Sequence, residues 1–207
     1  MNVALIANWG LGLEILKELS KTSDVLLSLI ITQYNQSSKN KWFNCVYDYA
    51  LVNDFNPINQ KDLTYSELEN KMDEYKINLL ICHSFMKILP KEIFSKPKYG
   101  TINIHPSLLP KYRGPSPTYW VLKNKETVTG LTCHYINEGI DTGDIIHQVK
   151  VPVLKNDTLD TVIERQKMVI ESLIKESLNK IKDKDFIATK QNGEEATYAP
   201  RPQKGAC

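Results

Sequence analysis

No stretch of this 207-residue chain approaches the roughly 20 consecutive apolar residues that a membrane-spanning helix needs, and MNVALIANWG opens on an apolar strand with no basic leader. Those absences argue against a membrane protein and favour a soluble, cytoplasmic one. Charge of one sign is also lacking: 26 Lys and Arg face 24 Asp and Glu, and a net +2 makes no field that would recruit nucleic acid or an anionic membrane. The four cysteines (Cys45, Cys82, Cys133, Cys207) lack the close pairs of a zinc site and the density of a disulfide scaffold, so they read as reduced thiols. Internal repeats and low-complexity blocks are absent. Gly10-x-Gly12 lacks the third glycine of the dinucleotide fingerprint, and no acidic residue clearly follows the second strand, which disfavours an NAD-dependent oxidoreductase. What remains, with 42% apolar residues, is enough for one well-buried core and short for two full domains plus a linker.

Apolar and polar patterning points to an α/β fold. Residues 1–7 form a short apolar run, 8–12 supply turn residues, and Leu13, Leu16 and Leu19 recur at helical spacing. With the apolar run 25–32 this makes a β-α-β unit, whose parallel strands take a right-handed crossover. Residues 65–75 pattern as a helix, 77–82 as a buried strand, and 101–105, 129–135 and 144–153 as further strands. One long amphipathic helix is expected over 159–181, its apolar stripe (Leu159, Val162, Ile163, Val169, Ile170, Leu173, Ile174, Leu178) covering the sheet or forming an interface. Residues 183–207 are expected to add a hairpin around Asn192-Gly193 and a loose tail to a main domain spanning 1–182. The hairpin's open edge would allow a homodimer.

Chemistry concentrates between Gly100 and Gly143, where polar residues sit at strand ends, the place where open α/β sheets form ligand crevices. In T-I-N-I-H-P, the two-residue period of a strand puts Asn103 and His105 on one face, and Pro106 ends the ladder. An amide that donates a hydrogen bond and an imidazole that carries a proton suit acyl transfer, in which an oxyanion develops and a proton must move. That chemistry needs no metal. The loop I-N-E-G-I-D-T-G offers Glu138 and Asp141 between glycines, and Asp141 is the favoured partner for the imidazole. Taken singly, an Asn or His at a strand end more often packs or turns the chain. His83, His134 and His147 take that reading, and Arg113 alone could be a solvated loop residue.

The combined string resembles the folate-dependent formyltransferases. Their pattern N-x-H-P-S-L-L-P, then Y-R-G, then D-E-G-x-D-x-G is matched by Asn103, His105 to Pro110, Tyr112 to Gly114, and Glu138, Gly139, Asp141 and Gly143, with 38 residues from Asn103 to Asp141. The resemblance implies a Rossmann-like formyltransferase fold, with a mostly parallel twisted sheet flanked by helices. It implies 10-formyltetrahydrofolate as co-substrate, its pterin lined by Phe85, Met86, Ile88 and Leu89 and by the loop carrying Ile136, Glu138, Gly139 and Ile140. Catalysis is implied for Asn103, His105 and Asp141: a neutral amine attacks the formyl carbon, Asn103 and protonated His105 stabilise the oxyanion, and Asp141 takes a proton while holding His105 charged.

Within the family, the segments from Tyr112 to Asn124 and from Thr129 to Ile146 are most similar to the sugar-nucleotide N-formyltransferases. The acceptor implied is a nucleotide-linked amino sugar, such as a dTDP-4-amino-4,6-dideoxy sugar, destined for surface polysaccharide. Tyr112, Arg113, Pro115, Ser116 and Pro117 would lie on its side, with Arg113 on a pyrophosphate. Trp9 and Trp120 would stack on sugar or base, or else pack in the core. A glycinamide ribonucleotide acceptor is weakened by Asn8-Trp9-Gly10 in place of a Gly/Ser-rich loop. A methionyl-tRNA acceptor is disfavoured by the lack of a further C-terminal domain and of a basic surface, and a hydrolase by the lack of an N-terminal regulatory domain. A non-catalytic folate- or nucleotide-binding module is the alternative outside enzymology.

Overall fold

The computed structural model describes residues 1–35, 37 and 41–203, of which Lys41 and Trp42 are described for backbone alone. Two compact units divide the chain, Met1–Ile102 and Asn103–Cys207. Cys207 and the end of the expected tail lie outside the described residues.

In the first unit, β1 (Asn2–Ala7) pairs in parallel with β2 (Leu26–Thr32) and β4 (Leu79–His83), and β2 pairs in parallel with β3 (Ile58–Asn59). The strand order is therefore β3-β2-β1-β4. Burial on both faces explains the unbroken apolar runs: Val3 to Ala7 and Leu79 to Cys82 have almost no exposed surface. Helix α1 (Trp9–Lys21) buries Leu11, Ile15, Leu16 and Leu19, which recur every three or four residues. It packs on α2 (Lys41–Val52), β1 and β2. Helix α3 (Tyr65–Glu74) starts at a capping box in which Thr64 and Glu67 satisfy each other's backbone N–H groups, an arrangement that stabilises a helix start by about 1 kcal/mol. A single turn, α4 (Lys91–Phe94), completes the unit before β5 (Thr101–His105), which crosses the boundary.

In the second unit, α5 (Pro117–Lys123) precedes the antiparallel pair β6 (Val128–Tyr135) and β7 (Ile145–Pro152), whose register shifts between Cys133 and His134. The α/β class with a mostly parallel, helix-flanked sheet is as the sequence pattern implies.

Two expectations are corrected. The single helix over 159–181 is two helices, α6 (Leu159–Lys167) and α7 (Ile170–Lys182). The break follows Gln166, which is fully buried and whose side-chain N–H donates to the carbonyls of Pro106 and Gly130, while Val169 leaves helical geometry at φ −106° and ψ 3°. Helix α7 packs on β6 and β7, so the stripe covers sheet there, whereas α6 packs on α5. The hairpin at Asn192-Gly193 is not formed either. A two-residue hairpin of that type needs positive φ at both positions, and Asn192 has φ −73° and opens a 3₁₀ turn over Gly193–Glu195. The segment after α7 pairs elsewhere instead, Thr189 with Ile145 and Tyr198 with Arg113.

Cys82 and Cys133 are buried thiols, and burial pushes the Cys133 thiol up to about 12. Among the described residues no helix is long and apolar enough to cross a membrane.

Candidate active site

The end of β5 presents Asn103 and His105 on one side of the strand, as the two-residue period requires. The segment that follows is held by a buried relay. Thr132 on β6 donates its hydroxyl to the Ser107 carbonyl at 2.6 Å and accepts the Leu109 N–H, while Gln148 on β7 donates to the Leu109 carbonyl at 2.9 Å. Burial of so many backbone groups is tolerated because each finds a partner. The chain then turns through Tyr112 at φ +60° and Gly114 at φ +103°. Gly114 has no substitute here, since a Cβ would collide with the Tyr198 ring at 2.6 Å.

Opposite lies the loop after β6. Asn137 shapes it by accepting from the Gly139 N–H and the Thr142 hydroxyl. Gly143 returns the chain close under Tyr135, leaving no room for a side chain. Between them Asp141 adopts φ +52°, a left-handed conformation that a non-glycine residue holds only where its surroundings enforce it.

Asp141 is where the elements converge. Its Oδ2 accepts the Gly114 N–H at 2.8 Å and stands 3.4 Å from His105 Nδ1. Its Oδ1 accepts from Asn103 Nδ2 at 3.2 Å and stands 3.5 Å from His134 Nε2. Asn103 Nδ2 also lies 3.2 Å from His134 Nε2. The three residues that the sequence marks as catalytic thus meet, and a fourth joins them.

That fourth is His134, 2% exposed, which the sequence reading leaves among the packing residues. Its Nδ1 meets the Tyr135 carbonyl at 2.8 Å, which places a proton on Nδ1 and leaves Nε2 of the neutral ring to accept from Asn103. No local pattern advertises the role; the register shift next to His134 is visible only in three dimensions.

His105 is held in the same way, its Nε2 meeting the Tyr112 carbonyl at 2.8 Å. A proton on Nε2 leaves Nδ1 facing the carboxylate, where the neutral ring offers a lone pair and the cation offers a hydrogen bond. Burial lowers the pKa of His105; the Asp141 carboxylate and the Tyr112 carbonyl oppose that, His134 adds to it, and the outcome is a lowered value. For Asp141 burial acts upward but is outweighed by His105, His134 and the Gly114 N–H, which hold the carboxyl well below the usual carboxylate range. A permanently ionised carboxylate beside two imidazoles can accept or stabilise positive charge arriving at either ring.

Other expected site residues sort differently. The Tyr112 side chain belongs to a buried apolar cluster with Val121, Val153, Val162 and Ala199, and its hydroxyl donates to Glu126 at 2.6 Å. Its aromatic bulk packs in that cluster, and its backbone carbonyl meets His105. Trp120 packs on the same cluster, with its indole N–H on the Pro200 carbonyl. Arg113 is half-buried and bound to Gln191, Pro115 is exposed, and Ser116 donates its N–H to the Ala199 carbonyl. In the first unit, Met86 and Ile88 are exposed, Phe85 is half-buried and Leu89 is 4% exposed; Trp9, half-buried, begins α1. In the second, Glu138, Gly139 and Ile140 are exposed and Ile136 is half-buried.

An amide, an ionised carboxylate and imidazoles gathered at the strand ends of an α/β fold are groups of the kind that acyl transfer employs. The chain belongs to the formyl transferase family, whose profile, described as "Formyl transferase", matches residues 3–178. Among its curated relatives is methionyl-tRNA formyltransferase of Acetivibrio thermocellus, 33% identical over 77% of this chain and 51% of that protein. The same enzyme of Thermodesulfovibrio yellowstonii is 42% identical over 65% of this chain and 43% of that protein. The chain spans about half the length of the curated relatives it matches. Among solved structures, phosphoribosylglycinamide formyltransferase of Bacillus halodurans is similar with a TM-score of 0.72 and 25% identity, over 89% of this chain and 96% of that one. WlaRD, a sugar 3N-formyl transferase solved in the presence of dTDP and 5-N-formyl-THF, shares the fold with a TM-score of 0.73 at 22% identity, over 97% of this chain and 70% of that one.

Proposed function

We propose that this protein transfers a formyl group from 10-formyltetrahydrofolate to the amine of a nucleotide-linked amino sugar. The observation that carries the reaction is the placement of one ionised carboxylate, Asp141, against Asn103, His105 and His134 at once. In this reading the neutral amine attacks the formyl carbon, a C–N bond forms, and the carbonyl electron pair moves to oxygen, where Asn103 stabilises it. The proton lost by the attacking nitrogen passes to His105. Its lowered pKa keeps the ring neutral until then, and the imidazolium that results is stabilised by Asp141. The folate N10–C bond then breaks, and N10 keeps the electron pair and receives the proton. This revises the role read from sequence, because a carboxyl held so far down is a poor base and a good counter-charge. Catalysis through Asn103 requires its N–H to exchange Asp141 or His134 for the oxyanion. The exposed apolar side chains of Met86 and Ile88 supply apolar surface for the folate side of the proposal.

A methionyl-tRNA acceptor is the second reading, favoured by the names and identities of the curated relatives. A net charge of only +2 supports the smaller acceptor. The test is release of tetrahydrofolate from 10-formyltetrahydrofolate in the presence of nucleotide-linked 3-amino and 4-amino sugars, methionyl-tRNA or glycinamide ribonucleotide. Turnover with one amino sugar is expected. Turnover with methionyl-tRNA alone, or with glycinamide ribonucleotide alone, reassigns the acceptor, release without acceptor indicates hydrolysis, and no release with any of them sinks the enzymatic reading.

A further inference from the structure

The segment after α7 carries one amide whose every hydrogen-bonding position is used on the site. Gln191 Oε1 accepts from Arg113 Nε at 3.0 Å and from Nη2 at 2.7 Å, and Gln191 Nε2 donates to the backbone carbonyls of Asp141 at 2.9 Å and Gly143 at 2.7 Å. Two donors and two acceptor sites exhaust a primary amide. Its orientation is forced by its partners: a flipped amide would set NH₂ against a guanidinium and an oxygen against two carbonyls.

What Gln191 grips are the two turns that create the cluster. Asp141, at φ +52°, is held by its own carbonyl as well as by its carboxylate. Arg113 lies between Tyr112, whose carbonyl meets His105, and Gly114, whose N–H meets Asp141 Oδ2. The rest of the segment docks by backbone bonds that do not involve Gln191: Ala199 N–H to the Arg113 carbonyl at 2.6 Å, Arg113 N–H to the Thr197 carbonyl at 2.9 Å, and Thr189 with Ile145 in both directions at 2.8 Å.

We propose that Gln191 is a positioning residue, clamping Arg113 and the carbonyls of Asp141 and Gly143 so that the Asp141 carboxylate stays against His105 and the Gly114 N–H. Its consequence for turnover rests on the reading of Asp141 as the working carboxylate; the clamp itself is independent of substrate. Gln191→Glu is the informative variant, because a carboxylate still accepts from Arg113 but repels the two carbonyls, and Gln191→Met removes both functions.

Amide hydrogen exchange of the full-length protein without substrates reads the clamp directly. In both variants the Gly114 N–H should exchange about tenfold faster or more, while Ala199 and Ile145 stay within about twofold of the unmodified chain. Unchanged exchange at Gly114 overturns the proposal, and so does an equal rise at all three amides, which would make Gln191 a mere anchor of the segment. Where the chain turns over, both variants should lose kcat with KM for 10-formyltetrahydrofolate within about twofold, and a raised KM at unchanged kcat would count against positioning. A chain without turnover would defeat the formyl-transfer reading while leaving the exchange result to decide the clamp.

Discussion

Each unit ties its strand ends together with one polar side chain, and the two knots differ in kind. In the first unit Asn8, 1% exposed, donates to Gln60 at 3.3 Å and to the Ser84 carbonyl at 3.0 Å, and accepts from the Thr32 hydroxyl at 3.2 Å and the Gln33 N–H at 2.7 Å. Every partner is neutral, and every hydrogen has one acceptor. In the second unit Asp141 is ionised, and among the described residues only the Gly114 N–H reaches its side chain below 3.0 Å. Asn103 stands 3.2 Å from both Asp141 and His134, and His105 turns an unprotonated nitrogen toward the charge from 3.4 Å. A knot with nothing left to give is scaffold, whereas a partly exposed charge with long contacts keeps capacity for a proton or an oxyanion.

The largest expected effect that would sharpen this difference is on Asp141. Asp141→Asn keeps the shape and removes the charge, and should cost turnover about a thousandfold. Because the carboxylate raises the His105 pKa, the histidine-linked limb of the pH–rate profile should also move to lower pH. A variant with near-normal rate and an unmoved profile would make the second knot scaffold like the first. Next in size is Asn8→Ala, which strands several buried partners and should lower unfolding stability by about 2–4 kcal/mol in urea titrations, with kcat of the folded protein preserved. Loss of kcat without loss of stability would put Asn8 in the site and erase the distinction. The smallest effect is on stability against pH. The depressed His105 pKa means its contribution is complete above roughly pH 6.5 and fades as pH falls through the folded value; that of Asp141 is complete above roughly pH 4 and fades on further acidification. Unfolding followed from pH 7 to 3 should show the first decline in the unmodified chain and a smaller second decline in Asp141→Asn.

Much of both units could be read from periodicity. Strand 101–105 appears with the expected bounds, and its alternation alone puts Asn103 and His105 together. Asp141 was marked by its glycine-flanked loop. His134 was not, because its neighbours along β6 are ordinary strand residues and its partners lie 31 positions away in the case of Asn103. Gln191 is more hidden still, 78 residues from Arg113 in a stretch whose Asn-Gly pair suggests a hairpin. The pair opens a 3₁₀ turn because the flanking backbone finds better partners in Ile145 and Arg113 than in itself. Likewise the stripe over 159–181 continues across a helix break that only the burial of Gln166 explains. Local pattern records which face is apolar; it does not record which distant backbone group a polar side chain will satisfy.

The bond from the Tyr112 N–H to the Thr197 hydroxyl spans 85 positions of chain. Closing so long a loop is entropically slow to occur but only slightly costlier than closing a shorter one, since each doubling adds about 0.6 kcal/mol. Sheet formation and docking of that segment are therefore expected to be separate events in time. A refolding chain is expected to regain its secondary structure while the turn at Tyr112 and the Asp141 loop still await the segment from Thr189 to Ala199, and protection of the Gly114 N–H during refolding would time that last docking rather than the fold.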